Sequence, residues 1–171
     1  MPTDELGQIL GPRQTVLITA RTEKTPIGVK RVVDDLYPTD HHCLLSADPF
    51  HYAIVLPADS KMATTIRTSK SFCVNFLSLR FAGVMHDALR KDPDFQDKFA
   101  VLNINKTECR HIDAPCVREA AATMEVEVMS IEEFGKNVFI AGKVLRQTFS
   151  REEHRPFHLS GGRFTTTETI Q

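Results

Sequence analysis

The apolar positions of the chain fall into short runs that predict strands rather than long helices. Three such runs, rich in β-branched and other apolar residues, cover residues 14–20 (QTVLITA), 41–46 (HHCLLS) and 52–56 (YAIVL). The proline of Asp48-Pro49 predicts a turn between the second and third runs, because it fixes its own φ and restricts the residue before it. We further expect a strand over residues 29–33 and a turn-rich stretch over residues 34–40.

The C-terminal half of the chain has the clearest strand pattern. In residues 123–131 (TMEVEVMSI), every second position from 124 to 128 is apolar, and this period of two predicts a strand with one buried face. Residues 137–149 (NVFIAGKVLRQTF) predict a second strand after a turn at Gly135-Lys136, so the two strands form a hairpin. Gly142 inside the second strand predicts a β-bulge or a bend.

Two segments predict short helices. Asp59 or Ser60 can cap a helix over residues 61–69. A second helix is expected over residues 81–90, before Asp92-Pro93, and its apolar face consists of Phe81, Val84, Met85 and Leu89.

The sum of these elements predicts the fold class. Residues 71–77 (SFCVNFL) add another strand, and the polar residues 101–114 are expected to form an irregular surface loop. Six or more strands, two helices and no regular alternation of strand and helix predict a mainly β fold, an antiparallel barrel with peripheral helices. A chain of 171 residues is expected to form one domain.

Composition and charge narrow the function classes. The chain carries 21 Lys and Arg against 22 Asp and Glu, without a basic run, so we do not expect it to bind nucleic acid. No apolar segment is long enough to span a membrane, and residues 1–5 lack the pattern of a signal peptide. We therefore expect a cytoplasmic protein.

The histidines and cysteines do not predict a metal site. His41 and His42 are adjacent on a predicted strand, so their side chains should point to opposite faces. Cys109 and Cys116 are considered as a redox pair, but their spacing matches no metal or thioredoxin-like motif. Unreactive thiols are the preferred interpretation, and no disulfide is needed to stabilise a chain of this length.

Five stretches follow one another along the chain: QTVLITA, LLSADPFHYAIVL, SKMATTIRTSKSFCVNFLS, FIAGKV and RPFHLSGGRFTT. In this order and spacing they resemble the flavin reductase-like family of FMN-binding split barrels, which includes flavoredoxin-type proteins. The similarity extends over roughly residues 14–166. It implies an antiparallel split β-barrel that works as a homodimer, with FMN, or FAD as the alternative flavin, near the subunit interface. It also implies that Leu44, Leu45 and Ser46 lie along the isoalloxazine ring.

The same resemblance implies that Ser60, Lys61 and Thr65 hold the phosphate and that Asn75 and Leu77 complete the pocket. A helix N-terminus suits this role, because its unpaired N–H groups and positive dipole end attract an anion. From spacing alone, Ser60 as a plain helix cap and Lys61 as a solvated side chain are the preferred interpretation, and the resemblance of the flanking residues reverses this preference.

Three functions remain open. The first is an FMN-binding oxidoreductase of the NAD(P)H-dependent flavin or ferric reductase type, in which no protein side chain need act as a nucleophile or general base. The second is a flavoredoxin-like electron carrier fed by a redox protein partner. The third is a split barrel without flavin, suggested by Met62, which stands where many members have Thr. Gly161-Gly162-Arg163 is either a plain turn before a last strand or a ligand contact.

Overall fold

The computed structural model describes residues 9–24, 28, 30–90, 97–150 and 152–167 of the chain. The expectations that rest on residues 1–5, on Val29 and on Asp92-Pro93 lie outside these residues. The strands are β1 Arg13–Gln14, β2 Val16–Lys24, β3 Arg31–Thr39, β4 His42–Ala47, β5 Phe50–Pro57, β6 Ser71–Phe76, β7 Lys106–Glu108, β8 Pro115–Val117, β9 Ala122–Phe134, β10 Asn137–Phe149, β11 Phe157–Leu159 and β12 Arg163–Thr165. The helices are α1 Lys61–Ser69, α2 Ala82–Arg90 and α3 Lys98–Val101, and 3₁₀ turns cover Leu79–Phe81 and Ser160–Gly162.

Seven strands form one antiparallel sheet in the order β3-β2-β6-β9-β10-β5-β4. The two edge strands are consecutive in sequence, and both the last residue of β3 and the link to β4 bond to β5. The hydroxyl of Thr39 donates to the carbonyl of Val55 at 3.1 Å, and the N–H of Val55 donates to the carbonyl of His41 at 2.8 Å. This curled, mainly β architecture with peripheral helices confirms the predicted fold class.

Both faces of the central strands are buried, which explains their nearly continuous apolar sequences. Val16 and Ile18 of β2 pack inside the barrel with Phe72 and Val74 of β6, and α1 adds buried side chains to this cluster. Leu17, on the opposite face of β2, packs in a second cluster beneath α2 and α3. Successive side chains of a strand point to opposite faces, so a strand that is covered on both sides needs apolar residues at nearly every position.

The predicted turn over residues 34–40 is wrong, because β3 continues through this stretch to Thr39. Pro38 lies opposite Leu17 on an edge strand, where the missing N–H of proline is tolerated. The two aspartates are buried but paired: Asp34 lies 2.6 Å from Arg21, and Asp35 lies 2.9 Å from Lys98. Asp34 and Asp35, whose polar side chains indicated a turn, are therefore buried partners in ion pairs.

The second predicted helix is confirmed in position, although its first turn is a 3₁₀ turn. Met85 and Ala88 are buried against the sheet, but Leu89, which the sequence assigned to the apolar face, is 56% exposed. Within the described residues, no helix is long and apolar enough to cross a membrane.

The predicted irregular loop over residues 101–114 contains a strand, β7, that pairs with β8. This pairing brings Cys109 and Cys116 together as a disulfide, with their Cα atoms 5.7 Å apart. The interpretation of both residues as unreactive thiols is therefore wrong. The disulfide could not be predicted from the sequence, because it depends on a hairpin whose strands are too short to show a strand pattern.

The hairpin of β9 and β10 follows the prediction closely. The turn at Gly135-Lys136 joins the strands, and the register shifts between Ala141 and Gly142, which is the expected bulge. The alternation fails at Glu125, which is 3% exposed. Its carboxylate accepts hydrogen bonds from the backbone N–H groups of Arg110 and His111, so its burial is compensated.

Candidate functional site

A cavity of about 280 Å³ lies between the ends of β3 and β5, α2 and the C-terminal strand pair. Its wall includes the apolar side chains of Tyr37, Leu56, Met85, Leu89 and Phe164. Its polar lining includes Asp40, His41, His86 and His158. A mainly apolar wall with a few polar groups is typical of small-molecule binding sites.

Asp40 organises the polar side of this cavity. It accepts a hydrogen bond from Arg13 at 3.0 Å and lies 2.9 Å from Nδ1 of His158 and 2.8 Å from Nδ1 of His41. Burial by itself would raise the pKa of Asp40, but the bonds from His41 and His158 and the charge of Arg13 outweigh it and hold the pKa well below its usual range. An ionised carboxylate can only accept, so both histidines carry a proton on Nδ1.

His42 points to the other side of β4. Its Nδ1 lies 2.6 Å from the hydroxyl of Tyr52, and its Nε2 lies 3.0 Å from the carbonyl of Gln14. Burial lowers the pKa of His42 and raises the pKa of Tyr52 to about 12. The opposite orientations of His41 and His42 confirm the expectation that they do not face one ion.

The three residues that the resemblance assigns to the isoalloxazine ring lie on β4. Leu44 and Leu45 are exposed, at 56% and 47%, although both are large apolar side chains, and Ser46 is half-buried. The pairing of β4 with β5 skips Leu45, because Leu44 lies opposite Tyr52 and Ser46 opposite His51. Leu45 therefore forms a bulge, which leaves a backbone unit outside the sheet pairing.

The residues assigned to the phosphate lie at or near the start of α1. Ser60 is the N-cap: its Oγ accepts from the N–H of Ala63 at 3.1 Å and donates to the carbonyl of Pro57 at 2.7 Å. Lys61 is half-buried in the first helical turn, which contains no acidic residue. Thr65 is buried one turn further along. Met62 packs in the barrel core at 1% exposure, so its side chain does not occupy the helix end.

Asn75 and Leu77 are fully buried on and beyond β6. The amide group of Asn75 donates to the carbonyl of Leu17 and to Thr19 Oγ1, each at 3.0 Å, and accepts from the N–H of Val117 at 2.8 Å. In this arrangement its side chain joins strands. A contact of either residue with a cofactor stays a prediction.

None of the eight predicted residues lines the cavity. The residues assigned to the ring and those assigned to the phosphate border it, however. Pro57 lines the cavity and bonds to Ser60, and His41 lines it immediately before β4 begins. Asp40 and His158 were missed, because the contact joins positions 118 residues apart and no local pattern marks it. Gly161 and Gly162 form a turn with positive φ before β12, and Gly162 also lines the cavity.

Solved structures resemble the whole fold. A putative flavin reductase with a split barrel domain from Shewanella frigidimarina NCIMB 400 has a TM-score of 0.82 at 10% identity, over 100% of this chain and 92% of that chain. An NADH:FAD oxidoreductase from Streptomyces globisporus C-1027 has a TM-score of 0.81 at 18% identity, over 98% of this chain and 92% of that chain. An FMN-binding protein from Thermus thermophilus has a TM-score of 0.79 at 17% identity, over 94% of this chain and 90% of that chain. At these identities the likeness establishes the fold, a split β-barrel.

Sequence comparison points to the same group. An uncharacterised protein from Pyrococcus abyssi is 26% identical over 110 residues, which cover 64% of this chain and 62% of that protein's length, less than two thirds of it. A family model described as a flavin reductase like domain matches residues 11–168, nearly the whole chain. The chain therefore belongs to the flavin reductase-like family.

Proposed function

We propose that the chain binds FMN along β4 and the start of α1 and works as an NAD(P)H-dependent flavin or ferric reductase. The observation that carries the proposal is the surface that joins these elements: an exposed, bulged edge strand, a cavity at its beginning and, beyond Pro57, the N-terminus of α1 with Lys61 in its first turn. Family membership supports the same cofactor.

The residues of this surface fit a flavin. Leu44 and Leu45 expose apolar side chains that a flat ring system would cover. The bulge at Leu45 offers backbone N–H and C=O groups, which suit the hydrogen-bonding edge of the ring. The cavity is too small to enclose an FMN completely, so part of the cofactor would lie on the outer surface of β4.

The start of α1 fits the phosphate. Ala63 N–H is taken by the Ser60 cap. The N–H groups of a first helical turn point toward the helix N-terminus, where they can donate to an anion, and Lys61 adds a positive charge beside them. The hydroxyl of Ser60 already donates to Pro57, so we expect the backbone and Lys61 to contribute most of the binding. Thr65, Asn75 and Leu77 stay proposed contacts, and all three are buried.

When bound, FMN supplies the redox chemistry by accepting a hydride or single electrons. The contribution of this chain is to bind and orient. Asp40 fixes the rings of His41 and His158 through their Nδ1 atoms, which leaves each Nε2 available to a ligand. Tyr37, Leu56 and Phe164 add apolar surface to the cavity wall.

We also propose that residues 1–171 form one domain, that two chains form a dimer over the exposed β4 surface, and that the protein works in the cytoplasm. A second chain would cover the part of the cofactor that the cavity cannot enclose. The alternative function is a flavoredoxin-like carrier, which would receive electrons from a redox protein through the same exposed surface.

An absorption spectrum of the purified protein, followed by NADH and then NADPH without oxygen, tests the function. Flavin bands that bleach with either nucleotide, and reoxidise with free flavin or ferric iron, are the expected result. Bands that persist with both nucleotides would favour the carrier. A protein that neither co-purifies with flavin nor binds added FMN or FAD would contradict the proposal and leave the barrel without flavin.

A further inference from the structure

Three cysteines converge on the outer face of the sheet, away from the cavity residues described above. Cys73 lies in β6, Cys109 follows β7 directly, and Cys116 lies in β8. Their Sγ atoms all lie within 4.8 Å of one another, and the Sγ atoms of Cys73 and Cys116 are 3.6 Å apart. Within the described residues, this is the group of three side chains arranged closely enough to hold a metal ion.

The cluster is closed on its inner side and open on one edge. Cys73 is 0% exposed and Cys116 6%, whereas Cys109 is half-buried. The hairpin of β7 and β8 is fixed over β6, because the N–H of Val117 donates to Asn75 and the hydroxyl of Thr19 donates to the carbonyl of Pro115. The sulfur atoms are therefore held by the sheet, with access through Cys109.

The triangular arrangement does not suit attack of Cys73 on the disulfide between Cys109 and Cys116. A thiolate attacks a disulfide along the S–S axis. Such an approach would separate Cys73 from Cys109 by 3.6 Å plus an ordinary S–S bond of about 2.05 Å, which is more than the observed limit of 4.8 Å. Once reduction lets Cys109 and Cys116 separate, three sulfur atoms grouped this closely can instead supply three of the four ligands of a tetrahedral metal ion.

We propose that Cys73, Cys109 and Cys116 bind a thiophilic divalent cation, with Zn²⁺ as the natural candidate, once the disulfide is reduced. A phosphine reductant in water gives the disulfide two electrons and two protons, which yields two thiols and a phosphine oxide. Binding of the cation then forms three metal–sulfur bonds and releases three protons, and a water molecule at the open edge completes the coordination. This site departs from the sequence-based expectation of no metal.

The charges around the cluster are compatible with a cation bound by three thiolates. The nearby carboxylate of Glu125 is compensated, because it accepts from the backbone of Arg110 and His111 and lies 3.8 Å from Arg146 Nε. The disulfide joins only β7 to β8, whereas the metal would also join this hairpin to β6 through Cys73. Cys73 therefore distinguishes the metal-bound state from the oxidised one.

The test titrates the phosphine-reduced, oxygen-free protein with Co²⁺, followed by displacement with Zn²⁺. We expect one Co²⁺ per chain, with thiolate-to-metal charge-transfer absorption, for the wild type and for Cys43→Ser. Cys43 is a matched control, because it is a free cysteine exposed on β4. Loss of residues that only support metal ligands already weakens binding about 10–100-fold, so Cys73→Ser and Cys109→Ser should each weaken it at least about tenfold. The oxidised protein should bind none.

Absence of Co²⁺ binding by the reduced wild type would overturn the proposal. Cobalt spectra of Cys73→Ser and Cys109→Ser that match the wild type would do the same, as would loss of binding in Cys43→Ser. If Cys73→Ser fails to fold, Cys109→Ser decides the question, since its side chain is half-buried. Thermal melting gives a second measurement: Zn²⁺ should raise the Tm of the reduced wild type and not that of either variant. None of these results depends on flavin binding.

Discussion

At the scale of single residues, Asn75 combines a structural role with a proposed role in the pocket. Its amide joins β2 and β8 to β6, and it is fully buried. Asn75→Ala leaves the N–H of Val117 without an acceptor, so we expect the free energy of unfolding to fall by about 2–3 kcal/mol in a urea titration. Asn105→Ala, which removes a surface hydrogen bond, should change it by less than about 0.5 kcal/mol. Equal losses in both variants would contradict this role.

His42 gives the protein a pH dependence. Burial holds its pKa below the ordinary value of 6.5, so the folded protein keeps the ring neutral where the unfolded chain takes up a proton. The free energy of unfolding should therefore be steady above about pH 6.5 and fall as the pH drops toward the folded pKa. His42→Gln can still bond to Tyr52 and Gln14 but does not titrate. Urea titrations at several pH values should show a shallower acid slope for His42→Gln, and equal slopes would contradict the assignment.

At the scale of elements, the bulge in β10 requires glycine. A Cβ on Gly142 would collide with the backbone oxygen of Glu127 and with Val126. We expect Gly142→Ala to lower the free energy of unfolding by about 1–3 kcal/mol, because the colliding oxygen belongs to a paired strand and cannot move aside. Gly83→Ala in α2 meets nothing within 4 Å, so it should be neutral or stabilise by about 0.5–1 kcal/mol. Similar effects in thermal melts of both variants would contradict this explanation.

Substitutions at the N-terminus of α1 can distinguish the capping role of Ser60 from its proposed role in phosphate binding. Ser60→Asp keeps a good cap and a favourable interaction with the helix dipole, but it sets a negative charge beside the proposed phosphate. Its Tm should match that of the wild type, while FMN affinity falls by about 1–3 kcal/mol in fluorescence titrations, as for Ser60→Ala combined with Lys61→Ala. Ser69→Ala, at the other end of α1, is the control. If Ser60→Asp binds FMN with wild-type affinity, the phosphate does not lie at the start of α1.

Features set by neighbours in sequence could be predicted, and features set by pairing could not. The turn at Gly135-Lys136 and the limits of β10 follow from local patterns. The continuation of β3 through Pro38 depends on its place at a sheet edge, which residues 34–40 do not encode. The disulfide of Cys109 likewise depends on β7 meeting β8.

The same division holds for the candidate site. The cap at Ser60 was visible as a serine before a helical segment. The bond between Asp40 and His158 joins the end of β3 to the C-terminal strand pair, so it exists only once the barrel has folded. The burial of Glu125 was hidden for a similar reason, since the backbone N–H groups that compensate it come from a distant loop.

At the scale of the whole molecule, the exposed β4 edge predicts how two chains assemble. Among the described strands, β4 lies at the edge of the sheet, and Leu44 and Leu45 present apolar side chains there; isolated chains rarely leave such an edge open. We expect the wild type to sediment as a dimer and Leu44→Glu combined with Leu45→Glu to sediment as a monomer, because the charges would have to be buried without partners. FMN affinity should fall in the same variant, since both leucines are proposed ring contacts and a second chain would cover the cofactor.

Val32→Glu is the matched control for this assembly. Val32 is 62% exposed on β3, the other edge strand of the sheet, so a general sensitivity of exposed apolar positions to charge would affect it equally. The expected result is a dimer with unchanged FMN affinity. Because all three positions are exposed, the variants should fold with the Tm of the wild type, and dissociation can then be attributed to the interface. The proposed interface would be contradicted by a wild-type chain that sediments only as a monomer, or by dissociation of the dimer in Val32→Glu alone. In either case no second chain would cover the cofactor on β4.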